Sequence, residues 1–240
     1  MSSIAKPTIT LHKPPSKKRL ARFAIERFVT AVAAELAPGV LVLDGGAGNC
    51  RHQLIFPHVR LIKLDISPRR SRRYGDIDVA GDLHLLPLRK DIFDAVLNVE
   101  VLEHLAEPEV ALREMFRVLR PGGCLYLIAP QGWEEHGAPH DYFRFTQYGL
   151  RYLFEKSGFR VKSITPMGGY FWYLGHRIQV AYRYLFPDRK HYIWKVLDAP
   201  LRHPSRLLLR TVIPYLCYYL DRFDKEKTYT LNYACVCQKP

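Results

Sequence analysis

The stretch "VLVLDGGAGNC", residues 40–50, decides the fold. An apolar run ends at Asp44 and continues into Gly45, Gly46 and Gly48. Because glycine has no Cβ, such a loop can approach a ligand closely and can adopt positive φ angles. In an open α/β sheet, ligands bind where a buried strand opens into a loop. The stretch therefore predicts a strand whose carboxyl end forms a ligand site.

The charge of Asp44 restricts the kind of ligand. A dinucleotide pyrophosphate is normally held by a G-x-G-x-x-G loop and a helix N-terminus. The pattern here is Asp-Gly-Gly-Ala-Gly-Asn-Cys, which lacks that spacing. A carboxylate at the mouth of the loop also repels phosphate and attracts positive charge. S-adenosylmethionine fits these requirements, because it carries a sulfonium and an ammonium and no phosphate.

Strand and helix patterns alternate along most of the chain. Strands are predicted at 40–44, 60–65, 93–98, 124–129, 160–165 and 229–237. Helices are predicted at 20–36, 108–119 and 147–157, the second beginning at Pro108 and the third capped by Thr146. Such alternation indicates an α/β fold, a parallel sheet with helices on both faces.

Polar residues stand at the ends of several predicted strands. Asp65 ends the strand after the glycine loop, where a carboxylate can accept hydrogen bonds from ribose hydroxyls. Asp82 precedes a Leu-rich stretch and is placed to accept from an adenine amino group, although Asp82 taken alone is better explained as a turn residue. Asn98 ends a further strand. The carboxyl ends of parallel strands converge, so these side chains are expected at one crevice.

Four stretches together resemble a known family. They are "VLDGGAGNC", "LIKLDIS", "GDLHLLPLRKDIFDAVLNVEVLEHL" and "EPEVALREMFRVLRPGGCLYLIAP". They are similar to the class I S-adenosylmethionine-dependent methyltransferases of the type 11 group, over about residues 20–165. The resemblance implies a Rossmann-like seven-stranded sheet whose last strand is antiparallel, with S-adenosyl-L-methionine as the cofactor.

The resemblance also implies roles at matching positions. They are Asp44, Gly46 and Gly48 at the methionine moiety, Asp65 at the ribose, Ile66 against the adenine, Asp82 and Leu83 at the adenine edge, and Asn98 closing the site. Cys50 departs from the pattern, because many relatives have a third glycine there. This departure is expected to cost little if the backbone at Cys50 is helical.

The loop "PQGWEEHGAPHDYFRFT", residues 130–146, is the predicted acceptor region. Methyl transfer needs alignment, and a base if the acceptor is a hydroxyl. His140 is the first candidate base, because imidazoles exchange protons near neutral pH. Asp141 would orient it or act itself, and His136 is a further catalytic candidate.

Tyr142 and Arg144 would contact the acceptor, Arg144 by holding an anionic group. In the alternative interpretation the loop is a lid, and its Asp–Arg pair and aromatic rings fix the entry to the next helix. His104 is interpreted as a structural residue at a helix start rather than as a catalytic residue.

Residues 166–228 form a predicted helical insertion before the last strand. The stretch 171–186 is aromatic and amphipathic, and 205–220 is apolar but interrupted by Arg210 and Pro214, too short to span a bilayer. The insertion is either a cap over the acceptor pocket or a segment resting on an anionic membrane surface. A basic flexible arm, residues 1–19, would assist the second.

Composition sets broader limits. The chain has 240 residues, a net charge of +13 and a pI of about 9.6, so it attracts polyanions. Its five cysteines are scattered and lack the spacing of a zinc site, so no metal is predicted. Cys235 and Cys237 share a face of the last strand and are interpreted as core residues. A reducing, cytoplasmic compartment is expected, and no secretory signal is found.

The sequence divides into a basic arm (1–19), a methyltransferase core (20–165), the insertion (166–228) and the last core strand (229–240). The leading hypothesis is an enzyme that methylates a small-molecule or lipid-linked glycan acceptor at oxygen, in the cytoplasm or peripherally at the inner membrane surface. One alternative is an RNA methyltransferase, which the charge favours and the lack of an appended RNA-binding motif disfavours. Another is a non-catalytic cofactor-binding module. The oligomeric state is left open.

Overall fold

A computed structural model describes residues 20–66, 75–187 and 192–240. The chain divides into two compact units. The sheet unit contains Glu26–Thr165 and Asn232–Pro240, and the helical unit contains Pro166–Leu231 together with the first residues of the first helix, up to Ile25. The predicted basic arm, 1–19, lies outside the described residues.

Seven strands and six α-helices make up the described chain. The strands are β1 Leu41–Gly45, β2 Arg60–Asp65, β3 Val79–Ala80, β4 Phe93–Val99, β5 Leu119–Pro130, β6 Arg160–Pro166 and β7 Asn232–Gln238. The helices are α1 Leu20–Glu35, α2 Pro108–Val118, α3 Gln147–Lys156, α4 Tyr170–Leu185, α5 Tyr192–Leu207 and α6 Ile213–Leu220.

All seven strands belong to one sheet, in the order β3-β2-β1-β4-β5-β7-β6. β1 pairs in parallel with β2 and β4, and β4 pairs in parallel with β5. β7 pairs antiparallel with β5. This arrangement confirms the predicted α/β, Rossmann-like seven-stranded sheet with an antiparallel last strand. It also places the ends of β1, β2 and β4 at one edge of the sheet.

Sequence periodicity missed one strand and displaced some boundaries. β3 has only two residues, too few for an alternating pattern, and it pairs with the end of β2. Helix α2 ends at Val118, because Leu119 is already extended with ψ 140°. β5 begins at Leu119, so it includes Pro121, Gly122 and Gly123, ahead of the predicted strand start at residue 124. The last strand begins at Asn232, three residues after the predicted start.

The core of the sheet unit lies around its central strands. Leu43 of β1, Val96 of β4 and Leu127 of β5 are fully buried, and Leu112 and Met115 of α2 belong to the same cluster. Cys235 and Cys237 of β7 are also fully buried there, which confirms their interpretation as core residues. All five cysteines are free thiols.

The helical unit contains α4, α5 and α6, with a π-helical turn at Leu208–Val212 between the last two. A Cβ added to Gly175 would lie 2.9 Å from the Cβ of Cys217, so α4 and α6 pack closely. Buried Asp221 accepts hydrogen bonds from the backbone N–H groups of Gly169 and Trp172 and pairs with Lys227. No helix in the described ranges is long and apolar enough to cross a lipid bilayer.

Candidate functional site

The glycine loop at the end of β1 is tightly held. Gly46 and Gly48 have φ angles of +86° and +54°. The N–H groups of Gly46 and Ala47 both donate to the carbonyl of Leu64 on β2, at 2.9 and 3.0 Å. A Cβ on Gly46 would lie 2.5 Å from Cγ2 of Val101. The loop therefore requires glycine at residue 46 for both conformation and space.

Asp44 is buried at the base of this loop, with 2% of its surface exposed. Its Oδ2 has no hydrogen-bond partner among the described residues, and Nδ1 of His52 lies 4.0 Å away. Burial, reinforced by the charge of Asp65, raises the pKa of Asp44 to about 7. A buried carboxylate without a partner is costly, so the position favours a ligand that brings positive charge. Asp44 therefore fits S-adenosylmethionine.

Asp65 connects the end of β2 to the glycine loop. Its Oδ2 accepts from the N–H of Gly48 and its Oδ1 from the N–H of Ile66, both at 2.7 Å. A carboxylate has about four acceptor positions, so about two remain for ribose hydroxyls. The neighbouring Ile66 is 67% exposed, an apolar surface suited to an adenine ring.

Of the other predicted cofactor residues, Leu83 and Asn98 contact the glycine loop, whereas Asp82 contacts His84. Oδ1 of Asp82 accepts from the N–H and Nδ1 of His84, at 2.9 and 2.7 Å, a contact that sequence analysis missed. Leu83 is buried beneath Gly45. Asn98 is fully buried, and its Nδ2 donates to the carbonyl of Gly45 at 2.8 Å. Their contacts with a cofactor stay predictions.

The condition under which Cys50 was expected to cost little is not met. Its φ is +55°, in the left-handed region that favours glycine, so its backbone is not helical. Its thiol is buried and lies 3.6 Å from the carbonyl oxygen of Asp76, which it meets as a weak donor. Cys50 therefore holds backbone strain at the position where the family resemblance implies a glycine.

Arg144 and Asp141 hold the 130–146 loop together. Nη1 and Nη2 of Arg144 each donate to one oxygen of Asp141 at 2.8 Å. The same guanidinium donates to the carbonyls of Trp133, Glu134 and Phe143. Its five N–H groups are thus engaged inside the loop, which argues against its predicted role with an anionic acceptor. Arg144 keeps the pKa of Asp141 well below its usual range.

The imidazole of His140 is oriented differently from the expectation. Its Nδ1 lies 3.0 Å from the hydroxyl of Tyr142, which is 46% exposed. Asp141 instead faces two other imidazoles, with 3.9 Å to Nδ1 of His104 and 3.8 Å to Nδ1 of His136. The loop geometry thus supports the lid interpretation for Asp141 and Arg144. The catalytic roles of His140, Asp141 and His136 stay predictions.

The burial of Glu103 and its position beside two imidazoles were not among the sequence predictions. This carboxylate is 1% exposed, and burial raises its pKa to about 8. Side chains of His104 and His136 face it, and burial lowers the pKa of His104. The signal was available, because Glu103-His104 follows β4 and His136 follows the adjacent parallel strand β5.

Comparison with known proteins gives the class of the sheet unit. Residues 43–127 match the family model described as "Methyltransferase domain". The chain is 39% identical over 104 residues to the demethylmenaquinone methyltransferase of Renibacterium salmoninarum, covering 40% of this chain and 43% of that protein. It is 34% identical over 155 residues to the malonyl-(acyl-carrier protein) O-methyltransferase of Dechloromonas aromatica, covering 61% of this chain and 58% of that protein.

A solved structure shares the fold. It is the 1,6-didemethyltoxoflavin-N1-methyltransferase of Burkholderia thailandensis with bound S-adenosylhomocysteine, with a TM-score of 0.53 and 16% identity, over 90% of this chain and 78% of that one. Residues 43–127 therefore match a methyltransferase domain, and the chain shares the fold of this enzyme, whose structure holds S-adenosylhomocysteine. The chain spans 43% and 58% of the lengths of the two curated relatives, whose acceptors differ.

Proposed function

We propose that this chain, which contains a class I methyltransferase domain, transfers a methyl group from S-adenosylmethionine to an oxygen of a small-molecule or lipid-linked glycan acceptor. The observation that carries the proposal is the buried Asp44, whose Oδ2 has no partner among the described residues and lies at the glycine loop. This position suits a ligand with a sulfonium and an ammonium and disfavours a pyrophosphate.

When bound, S-adenosylmethionine supplies an electrophilic methyl group. Asp44 would balance its positive charge, and Asp65 would accept from its ribose hydroxyls. The glycine loop, held to β2 by hydrogen bonds, would allow close approach of the backbone. The rigid 130–146 loop would orient the acceptor, with the exposed imidazole of His140 as the group that receives its proton.

A cationic cavity in the helical unit supports an anionic acceptor. It has a volume of about 380 Å³. Among the described residues its lining contains no acidic side chain and consists of Tyr182, Arg183, Phe186, Arg202, His203, Arg206 and Arg210. Such a lining suits the phosphate of a lipid-linked glycan, or the headgroups of an anionic membrane.

Exposed apolar side chains of the same unit favour the membrane-surface interpretation. Tyr184 and Leu185 of α4 are 76% and 63% exposed, and Leu207 and Leu216 are 61% and 56% exposed. Aromatic, aliphatic and arginine side chains together are typical of segments that rest at a lipid interface. We therefore place the protein in the cytoplasm, with peripheral contact at the inner membrane surface when the acceptor is lipid-linked.

We expect purified protein to bind S-adenosylhomocysteine in calorimetric titration and not to bind NADH. Asp65→Ala should weaken this affinity about tenfold, since it removes charge-assisted hydrogen bonds to the ribose and to the loop. Unchanged affinity in Asp65→Ala would show that the assigned site is wrong. Binding of NADH would show instead that the glycine loop is a dinucleotide site.

The acceptor class is tested by transfer of a labelled methyl group. Lipid-linked glycans are expected to accept the label, at an oxygen identified by mass spectrometry. Label on RNA, with affinity that falls steeply as salt rises, would favour the alternative RNA methyltransferase. Cofactor binding without transfer to any tested acceptor class would favour the non-catalytic module.

Cofactor affinity should rise with pH because of Asp44. Its pKa of about 7 in the free protein means that the ionised form, which attracts the ligand, grows as pH increases. Between about pH 6 and pH 8 we expect roughly a tenfold gain in affinity for S-adenosylhomocysteine by calorimetry. The same raised pKa makes Asp44 stabilise the ligand-free fold at low pH, a contribution lost as pH rises through about 7.

Asp44→Asn is the control for this pH dependence. It keeps the shape of the side chain and removes its titration. We expect weak binding that hardly changes over the same pH range. An equally steep rise in Asp44→Asn would assign the titration to another group.

A further inference from the structure

A second group of side chains meets at the carboxyl edge of the sheet. Glu103 and His104 belong to the short turn Leu102–His104 that follows β4, and His136 belongs to the loop after β5. Because β4 and β5 are adjacent and parallel, their following segments lie side by side. One oxygen or nitrogen atom from each of the three side chains lies within 4.8 Å of the others.

Glu103 is the unusual member of this group. It is 1% exposed, and neither of its carboxylate oxygens has a hydrogen-bond partner among the described residues. Its Oε1 lies 3.9 Å from Nε2 of His104 and 3.8 Å from Nε2 of His136. Both distances are too long for hydrogen bonds. A buried carboxylate aimed at two imidazoles without bonding either one indicates a ligand that would join them.

In both imidazoles Nε2, the nitrogen nearer to Glu103, is available to bind a ligand. Nδ1 of His104 lies 2.6 Å from the carbonyl oxygen of His140, and Nδ1 of His136 lies 3.0 Å from that of Glu134. A carbonyl only accepts, so each Nδ1 carries the hydrogen and each Nε2 has a free lone pair. Nδ1–H bound to a carbonyl, with Nε2 left for the ion, is the arrangement that orients histidine ligands in metal sites.

Arg144 does not disturb this tautomer. Its Nη2 lies 3.3 Å from Nδ1 of His136, but it makes shorter bonds, at 2.8 Å, to the carbonyl of Glu134 and to Asp141. Those two bonds use both of its hydrogens. The carboxylate of Asp141 lies within 4 Å of both Nδ1 atoms, which favours hydrogens there.

We propose that Glu103, His104 and His136 bind one divalent cation of the zinc class. Two imidazoles and one carboxylate are a ligand set of catalytic zinc sites, which keep a fourth position open. Ligands at about 2.1 Å from a tetrahedral ion lie roughly 3.4 Å apart. The two Glu103 distances therefore need to shorten by about half an ångström, and the separation of the two imidazole nitrogens, which is within 4.8 Å, by up to about 1.4 Å. The further inference that the acceptor oxygen takes the open position rests on the proposed function. Binding of the ion by these three side chains does not.

The charge of the site supports the same assignment. One carboxylate and two neutral imidazoles leave a bound divalent ion with a net charge of about +1. Such a charge stabilises a deprotonated acceptor hydroxyl, whose proton would pass to His140, the group proposed above to receive it. The ion would thus help to deprotonate the acceptor hydroxyl, a role that the sequence assigned to a general base alone.

The test uses the full chain after treatment with a chelator, titrated with Zn²⁺ by calorimetry and with Co²⁺ by visible absorption. We expect one equivalent of each ion and the intense bands of tetrahedral Co²⁺. His104→Ala, His136→Ala and Glu103→Gln should each weaken affinity about 10- to 100-fold. His140→Ala is the matched control, since it removes a nearby imidazole and keeps the carbonyl that orients His104; it should bind as the wild type does.

Absence of the Co²⁺ bands in wild-type protein would overturn the inference. So would metal affinity that is the same in His136→Ala as in the wild type. Glu103→Gln preserves the side-chain volume, and its melting temperature shows whether a loss of binding reflects unfolding. S-adenosylhomocysteine binding to the metal-free protein is measured in parallel, because retained cofactor binding with no metal binding rejects this inference alone.

Discussion

Gly46→Ala is expected to weaken the affinity for S-adenosylhomocysteine on the order of 100-fold and to lower the free energy of unfolding by about 3 kcal/mol. At φ +86°, an added Cβ is strained by the backbone alone. The same Cβ would lie 2.5 Å from Cγ2 and 2.8 Å from Cγ1 of Val101. The loop must therefore shift away from the position in which it is held to Leu64. Calorimetry and urea unfolding measure the two effects.

Gly39→Ala is the matched control for this substitution. Its φ of +79° imposes a similar backbone cost, but an added Cβ meets nothing within 4 Å. It should lose about 1–2 kcal/mol of stability and keep its cofactor affinity. The double variant Gly46→Ala/Val101→Ala removes the two colliding methyl groups and should regain part of the lost stability. Equal losses of affinity in Gly46→Ala and Gly39→Ala would show that the loop is not the binding element.

Asp141→Ala is expected to lower the free energy of unfolding by about 3 kcal/mol and to loosen the 130–146 loop. The side chain is only 6% exposed, and it accepts from both terminal nitrogens of Arg144 and from the N–H of His136 at 2.7 Å. Its removal leaves a partly buried guanidinium without its carboxylate. Urea unfolding gives the loss of stability, and amide hydrogen exchange across 130–146 locates it.

Glu155→Ala provides the comparison for an ion pair in solvent. It breaks the pair of Arg151 and Glu155, whose side chains are 52% and 56% exposed, and should cost less than about 0.5 kcal/mol. Because the pKa of Asp141 is lowered, its contribution is present above about pH 4 and is lost only as acid protonates it in the folded state. A cost for Asp141→Ala as small as that for Glu155→Ala would contradict a structural role for the loop pair.

Position along the sequence was sufficient to predict that Asp44, Asp65 and Asn98 lie at one edge of the sheet. Each stands at or next to the end of a strand with a clear apolar pattern, and parallel strands bring their ends together. The role of Asp44 in choosing the ligand class stays a prediction, since it was inferred from the charge and position of one residue. The two-residue β3 carries no periodicity and could not be found in the same way.

Contacts between distant side chains could not be predicted. Asp141 was expected to orient His140, because the two residues are neighbours in the sequence. In the structure its carboxylate faces His104 and His136 instead. Arg144 looked available for an acceptor, because no sequence pattern shows that backbone carbonyls take up its N–H groups. The left-handed backbone of Cys50 could not be predicted either, because residues other than glycine rarely adopt a positive φ.

The place of β7 in the sheet has a consequence for the order of folding. This strand, Asn232–Gln238, lies between β5 and β6, although both precede it by many residues. Until it arrives, β5 and β6 each present an unpaired edge, a surface prone to aggregation. Pairing across such a separation closes a long loop and is slow compared with local helix formation. During synthesis the nascent sheet therefore stays incomplete until β7 has emerged from the ribosome, and the edges of β5 and β6 are most exposed to aggregation in that interval.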